Sequence, residues 1–178
     1  MNKIMIIGGK FGGRSILTPV GATHPMGSRE RLALFNMLAG RVEGASVLDI
    51  YAGSGALGIE ALSRGAKSAT FIDKNIPAVQ IIKMNLEQLS ANENAKVIRG
   101  VVPSILANLG EFDVVLADPP YDDFRLPHIE ALAALVKVGG LLVLSHPKKA
   151  PELPGLILDK TRSYAGANLS IYLKKNSA

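Results

Sequence analysis

No cysteine occurs among the 178 residues, and histidine appears at only three positions, 24, 128 and 146. The first absence excludes disulfides, thiolate zinc sites and cysteine nucleophiles. The histidines have no metal-ligand spacing, so no metal is expected, and each reads as a surface or packing residue. No apolar run approaches the ~20 residues that span a bilayer, and the N-terminal KIMIIGGK is too short for a signal-peptide core. A cytoplasmic protein is expected.

What is present suits one globular domain. Hydrophobic residues make up 48% of the chain and charged ones 20%, which argues against disorder. The length allows a real core and a small appendage. Net charge is +5, unevenly spread. Residues 1–45 carry six Lys/Arg against two acids, residues 46–147 eight against eleven, and residues 148–178 six against two. Basic ends around a mildly acidic middle suggest a polyanionic partner such as a nucleic acid. Ordinary solvated surface gives the same counts.

From Val47 onward, short β-rich runs alternate with helical patterns. SVLDIYAG, SATFID, KVIRGVV, FDVVLADPPY and LLVLSHP read as five strands. GALGIEALSRGA, IPAVQIIKMNLEQLS, PSILANLG and LPHIEALAALVKVGG read as the helices between them, with Pro77 in a first turn and glycines as stops. The alternation predicts a parallel, doubly wound sheet with helices on both faces. KIMIIGGKFGGRSILTP predicts a hairpin ahead of this core. SRERLALFNMLAG predicts a helix with Ser28 as N-cap and Gly40 as stop. LILDKTRSYAGANLSIYLKK predicts two closing strands joined by a turn at 165–168.

Two stretches carry chemistry. Gly53-Ser54-Gly55-Ala56-Leu57-Gly58 is a G-x-G-x-x-G that leaves a strand and opens a helix, the context of a nucleotide-type pocket at the carboxyl edge of the sheet. Asp73 ends the next strand and could bond both hydroxyls of a ribose. Tyr51 and Ser54 in the turn, with Lys74 after Asp73, complete the candidate cofactor contacts. Asp49 sits at the end of the strand that enters the turn. A carboxylate there repels a pyrophosphate but suits a cationic ligand, so S-adenosylmethionine is favoured over NAD. Alternatively Asp49 caps a backbone turn and the glycines only pack helix on strand.

The second stretch is Asp118-Pro119-Pro120-Tyr121, at the end of the fourth strand. Two prolines fix φ and remove two backbone donors. The Asp118 carboxylate and the Pro119 carbonyl can accept both N–H groups of an exocyclic amine on a nucleobase, and Tyr121 can stack on the ring, a contact worth roughly 1–3 kcal/mol. A rigid strand-to-helix turn with an incidental acid is the blander reading.

Asp/Asn-Pro-Pro-aromatic after the fourth strand resembles the signature of amino-directed nucleic-acid methyltransferases. Nearly the whole chain resembles the 16S rRNA guanine-N2 methyltransferases of the RsmD type. The matching text is IIGGKFGGR (6–14), HPMGSRERLALFNML (24–38), VLDIYAGSGALGIEALSRGA (47–66), FDVVLADPPY (112–121) and YAGANLSIY (164–172).

The resemblance implies an α/β fold: a Rossmann-like seven-stranded sheet, last strand antiparallel, with an N-terminal hairpin extension. It implies residues 1–40 as an RNA-contacting extension and 41–178 as the methyltransferase domain. It also implies methyl transfer from S-adenosylmethionine to a guanine N2 of 16S rRNA by a monomer acting on the small ribosomal subunit. Lys10, Arg14, His24, Arg29 and Arg31 are the expected RNA contacts, and Val101 lies where an acid commonly borders the adenine. An adenine-N6 methyltransferase, or a NAD-dependent oxidoreductase or other nucleotide-binding module, is the alternative. The chain departs from the family pattern at His24-Pro25-Met26 for Arg-Pro-Thr, at Leu32 for Glu, at Arg99-Gly100-Val101-Val102 for the acid that ends the third strand, and at Ser145-His146 for Glu.

Overall fold

The computed structural model describes residues 2–20, 26–164 and 166–176. Strands β1 (Asn2–Met5) and β2 (Ser15–Thr18) pair as an antiparallel hairpin. Helix α1 (Ser28–Leu38) follows. Then come β3 (Ser46–Ile50), α2 (Ala56–Ser63), β4 (Ser68–Asp73), α3 (Ile76–Gln88), β5 (Ala95–Arg99), β6 (Phe112–Ala117), α4 (Leu126–Ala131) and β7 (Val136–His146). Strands β8 (Leu156–Tyr164) and β9 (Ala167–Lys174) complete the order. The main sheet has seven strands in the order β5-β4-β3-β6-β7-β9-β8. β3 to β7 run parallel, and β9 inserts antiparallel between β7 and β8. The expected seven-stranded α/β sheet with an antiparallel last strand is the one the chain forms.

Strand side chains alternate between faces, and here both faces are covered. Val47, Phe71, Val114, Leu116 and Val143 join one core with residues of α1, α2 and α3. Leu48, Ile50, Val115, Ala117 and Leu142 join the other, with Ile129 of α4, Leu132 and Leu135. The continuous apolar run of β6 is thereby explained: successive residues enter opposite cores. By the same parity Asp49, Asp73, Asp118 and Ser145 fall on the face that carries α1, α2 and α3.

The hairpin is welded to that face. Glu60 of α2, fully buried, accepts from the Ile7 and Gly8 amides at 2.8 and 2.9 Å and from Arg64 Nε at 2.8 Å. Ser63 Oγ accepts from the Phe11 amide at 2.8 Å. Asn85 of α3, fully buried, exchanges bonds with the Leu17 amide and carbonyl and donates to the Ser54 carbonyl at 3.0 Å. Ile6, Phe11 and Ile16 belong to the same core as Leu57, Ile82 and Val114. The hairpin and α1 thus share one core with the sheet across the expected boundary at residue 40.

Several expectations are corrected. The helix expected at 103–110 is a single 3-10 turn, Leu106–Asn108. The helix expected to run to Gly140 ends at Ala131, a 3-10 turn covers Leu132–Leu135, and β7 starts at Val136. Gly139 and Gly140 therefore lie inside a strand. The register slips there, with Phe112 opposite Val136 but Val114 opposite Leu141. Gly139 has φ +78°, and a Cβ on Gly140 would stand 2.8 Å from the Asp113 carbonyl, so the irregularity needs both glycines. Gly27, not Ser28, occupies the N-cap position of α1, with no side-chain cap bond. β9 begins at Ala167, so Asn168 is a strand residue.

Candidate active site

β3 and β6 are neighbours, with Ile50 opposite Ala117. The glycine turn after β3 and the acidic corner after β6 therefore leave the same edge of the sheet side by side. β7 is next, with Leu144 opposite Ala117, which brings Ser145 beside Asp118. A cavity of about 1070 Å³ opens over this edge. Its walls include Asp49, Tyr51, Gly53 and Ser54 from the first turn, Asp118, Pro119, Pro120 and Tyr121 from the corner, and Ser145 from β7. The hairpin contributes Lys3 and Thr18, and the β8–β9 turn contributes Gly166 and Ala167.

The glycines divide the labour. Gly53 has φ +56°, and an added Cβ would meet nothing within 4 Å, so its missing side chain leaves open space in the cavity. Gly55 has φ +79° at the N-cap of α2, against Ile82. Gly58 serves packing alone: a Cβ there would run into the Phe71 ring. Tyr51 holds φ +64° without being glycine, strain of the kind found at ligand sites. Burial and the nearby Asp123 push its hydroxyl up to about 12.

Asp49 is buried, and its Oδ2 accepts from the Gly58 amide at 2.8 Å. It thus braces the turn and lines the cavity as well. Burial pushes its carboxyl well above the ordinary range, the Gly58 amide opposes this, and Asp118 and Asp73 add to it. A cationic group in the cavity would relieve the crowding of carboxylates; a pyrophosphate would worsen it. The donor set and the space over Gly53 fit the ammonium and sulfonium of S-adenosylmethionine. Asp73 stands behind the turn instead of on the cavity wall: its Oδ2 accepts from the Gly53 amide at 2.9 Å and its Oδ1 from the Asn75 amide at 2.8 Å. Lys74 is exposed and pairs with Asp123 at 3.2 Å, and Val101 is 56% exposed. Neither they nor Gly55 line the cavity.

At the corner, burial raises the Asp118 carboxyl above its ordinary value, while the Ser145 hydroxyl draws it back. The Tyr121 and Ser145 hydroxyls lie 2.7 Å apart. The Pro120 carbonyl accepts from the Asp123 amide at 3.1 Å. The Pro119 carbonyl has no such partner among the described residues, and Pro119 lines the cavity.

Of the expected RNA contacts, Lys10, Arg14 and Arg29 are exposed. Lys10 and Arg14 flank the Phe11 ring at the bend of the hairpin, the end away from the cavity-lining Lys3 and Thr18. Arg14 also donates to the Gln88 carbonyl at 2.7 Å. Arg31 is 2% exposed, lines the cavity, and donates to the carbonyls of Met26 and Met5 at 2.8 and 2.7 Å. Its guanidinium ties α1 to the hairpin and is not a surface cation. His24 lies outside the described residues. The sequence reading missed Lys3, Glu60 and Asn85. Glu60 left one trace: an acid inside the apolar run of GALGIEAL, where a solvated charge has no place.

The conserved hypothetical protein 95 family model matches residues 4–173. Ribosomal RNA small subunit methyltransferase D of Escherichia coli (strain K12) is 42% identical over 142 residues, covering 79% of this chain and 70% of that one. The chain belongs to the RsmD-type methyltransferases. Its likeness to YlbH of Bacillus subtilis (strain 168) is 32% identity over 181 residues, 96% of this chain and 98% of that one. The solved structure of yhhF from Escherichia coli superposes with a TM-score of 0.89 at 32% identity, covering 99% of this chain and all of that one.

Proposed function

We propose that the chain methylates the exocyclic N2 amine of a guanine in 16S rRNA, with S-adenosylmethionine as donor. Methylation of small-subunit ribosomal RNA is the activity named for the Escherichia coli relative at 42% identity. The single observation that supports methyl transfer to an amine at this edge is the register of Ile50 with Ala117, which sets the glycine turn beside the Asp118 corner.

Asp49, Gly53 and Ser54 would hold the donor, with Asp73 fixing the turn through the Gly53 amide. When bound, S-adenosylmethionine supplies an electrophilic methyl on its sulfonium. The rest is done by the chain. A guanine amine is a poor nucleophile because its lone pair is delocalised into the ring. The Asp118 carboxylate and the Pro119 carbonyl accept its two N–H bonds and draw the nitrogen toward tetrahedral geometry. Tyr121, anchored by Ser145, offers its exposed ring for stacking. The base must leave its own stack to reach the corner, at a cost of a few kcal/mol. Positioning of the reactants supplies most of the acceleration, of order 7–11 kcal/mol. The departing proton passes to water.

The exposed Lys10, Arg14 and Arg29 of residues 1–40 would meet RNA phosphates. The partner is the small ribosomal subunit or its rRNA, met by a monomer in the cytoplasm. Asp118→Ala should abolish methyl transfer to rRNA while adenosylhomocysteine affinity stays within about tenfold, ~1.4 kcal/mol. Wild-type turnover in that variant rejects the mechanism. Mass spectrometry of rRNA from a deletion strain should show a missing N2-methylguanosine; a missing N6-methyladenosine would favour the adenine reading instead.

A further inference from the structure

The carboxyl edge of the sheet carries basic residues that the N-terminal segment does not account for. β7 ends on that edge at His146, and Lys148 and Lys149 follow directly, both exposed. β8 runs in the same sense as β7, because each pairs antiparallel with β9. Its carboxyl end reaches the same edge, with Arg162 opposite Leu169. Leu169 in turn pairs with Ser145 and lines the cavity.

The loop that bears the lysines is held from beneath. His146 is 1% exposed, with Nδ1 2.7 Å from the Lys148 carbonyl and Nε2 2.8 Å from Ser170 Oγ. A carbonyl only accepts, so Nδ1 carries the proton and Nε2 accepts from the serine hydroxyl. Asn168 Nδ2 donates to the same Lys148 carbonyl at 3.2 Å and to the His146 carbonyl at 3.3 Å. Two side chains thus converge on one carbonyl and hold the backbone from which Lys148 and Lys149 project. Lys148, Lys149 and Arg162 have no acidic partner among the described residues, whereas Lys160 and Lys174 pair with Asp159 and Glu111. Unpaired cations on and beside a braced loop, at the sheet edge that carries the site, are what a phosphate backbone can neutralise.

We propose that Lys148, Lys149 and Arg162 form a second RNA-gripping surface, on the C-terminal side of the cavity, that contacts phosphates flanking the methylated base. This rests on the rRNA substrate proposed above. The test uses the full chain with Lys148→Gln, Lys149→Gln and Arg162→Gln combined, and a 16S rRNA transcript as probe across a salt series. Each phosphate contact contributes about 0.7–0.9 to the slope of log affinity against log salt. The triple variant should lose about 2–3 from that slope and at least about tenfold in affinity at low salt, with adenosylhomocysteine binding unchanged by calorimetry. Lys67→Gln with Lys96→Gln, at the amino ends of β4 and β5, should leave the slope unaltered. A triple variant with the wild-type slope, in a protein that still methylates the transcript, overturns this surface alone. Wild-type protein that neither binds nor methylates the transcript overturns the rRNA reading, and this inference with it.

Discussion

The Tyr121 hydroxyl lies 2.7 Å from the Ser145 hydroxyl, a bond that ties the corner after β6 to the end of β7. The polar tip of the tyrosine is fixed while its ring stays 36% exposed at the cavity. Loss of the ring in Tyr121→Ala should lower kcat/KM for rRNA roughly 5- to 150-fold, the equivalent of 1–3 kcal/mol of stacking. Tyr121→Phe and Ser145→Ala break the same bond, and Ser145→Ala also removes the hydroxyl that acts on Asp118, so Tyr121→Phe should cost less than Tyr121→Ala, and the double variant no more than Ser145→Ala alone. Steady-state methyl transfer on the four proteins checks this; additive losses would show that the bond does not orient the ring.

A pH profile should expose Asp118. Burial raises its carboxyl above the ordinary range, so on acidification it takes up a proton earlier than an unperturbed aspartate, near 3.9, would. Because the amine must meet a carboxylate, kcat/KM for rRNA at saturating S-adenosylmethionine should rise with pH through that raised value and fall on the acid side. Asp118→Asn should be low and lack this acid limb. A wild-type limb at the ordinary aspartate value contradicts the burial seen at the corner.

Gly53 and Gly58 belong to one motif but should fail differently. Gly58→Ala drives a methyl into the buried Phe71 ring and should cost about 1–3 kcal/mol of stability. Gly53→Ala adds a methyl to open space at φ +56°, a strain of about 1–2 kcal/mol, and fills the cavity where the donor would lie. Denaturant melts should rank Gly58→Ala as at least equally damaging. Adenosylhomocysteine calorimetry should show the larger affinity loss in Gly53→Ala.

Removal of the Glu60 carboxylate leaves the Ile7 and Gly8 amides and Arg64 without their acceptor. Glu60→Ala should destabilise the fold by about 3–5 kcal/mol, and Glu60→Gln, which keeps one acceptor, by less. Denaturant unfolding measures the loss, and hydrogen exchange at residues 6–13 should quicken in both. Unchanged exchange there would mean that the hairpin is held by its apolar residues alone.

Much of the site was legible because its signals are local. The glycine turn, the prolines at 119 and 120 and the β-α alternation each show within a dozen residues, since turn chemistry and strand or helix period act over that range. The misreadings came from long-range competition. Gly139 and Gly140 resemble a helix stop, yet Gly139 supplies a positive φ inside β7 and Gly140 avoids a clash with the Asp113 carbonyl of a neighbouring strand. Arg31 reads as an exposed phosphate contact, yet carbonyls of Met5 in the hairpin and of Met26 hold its guanidinium inside.

The chain's text alone determined which chemistry was on offer: no thiol, no metal-ligand spacing among the histidines, a turn with room for a ligand and a rigid corner rich in acceptors. Those properties reside in single residues and their immediate neighbours. Only the tertiary structure decided that the turn and the corner meet, and that the hairpin, Ser145 and the β8–β9 turn wall the same cavity. Ile50 and Ala117 stand 67 positions apart in sequence, and what joins them is a ladder of hydrogen bonds between parallel strands. Which strand lies beside which is settled by burying both faces of the whole sheet at once, a condition no short stretch can state.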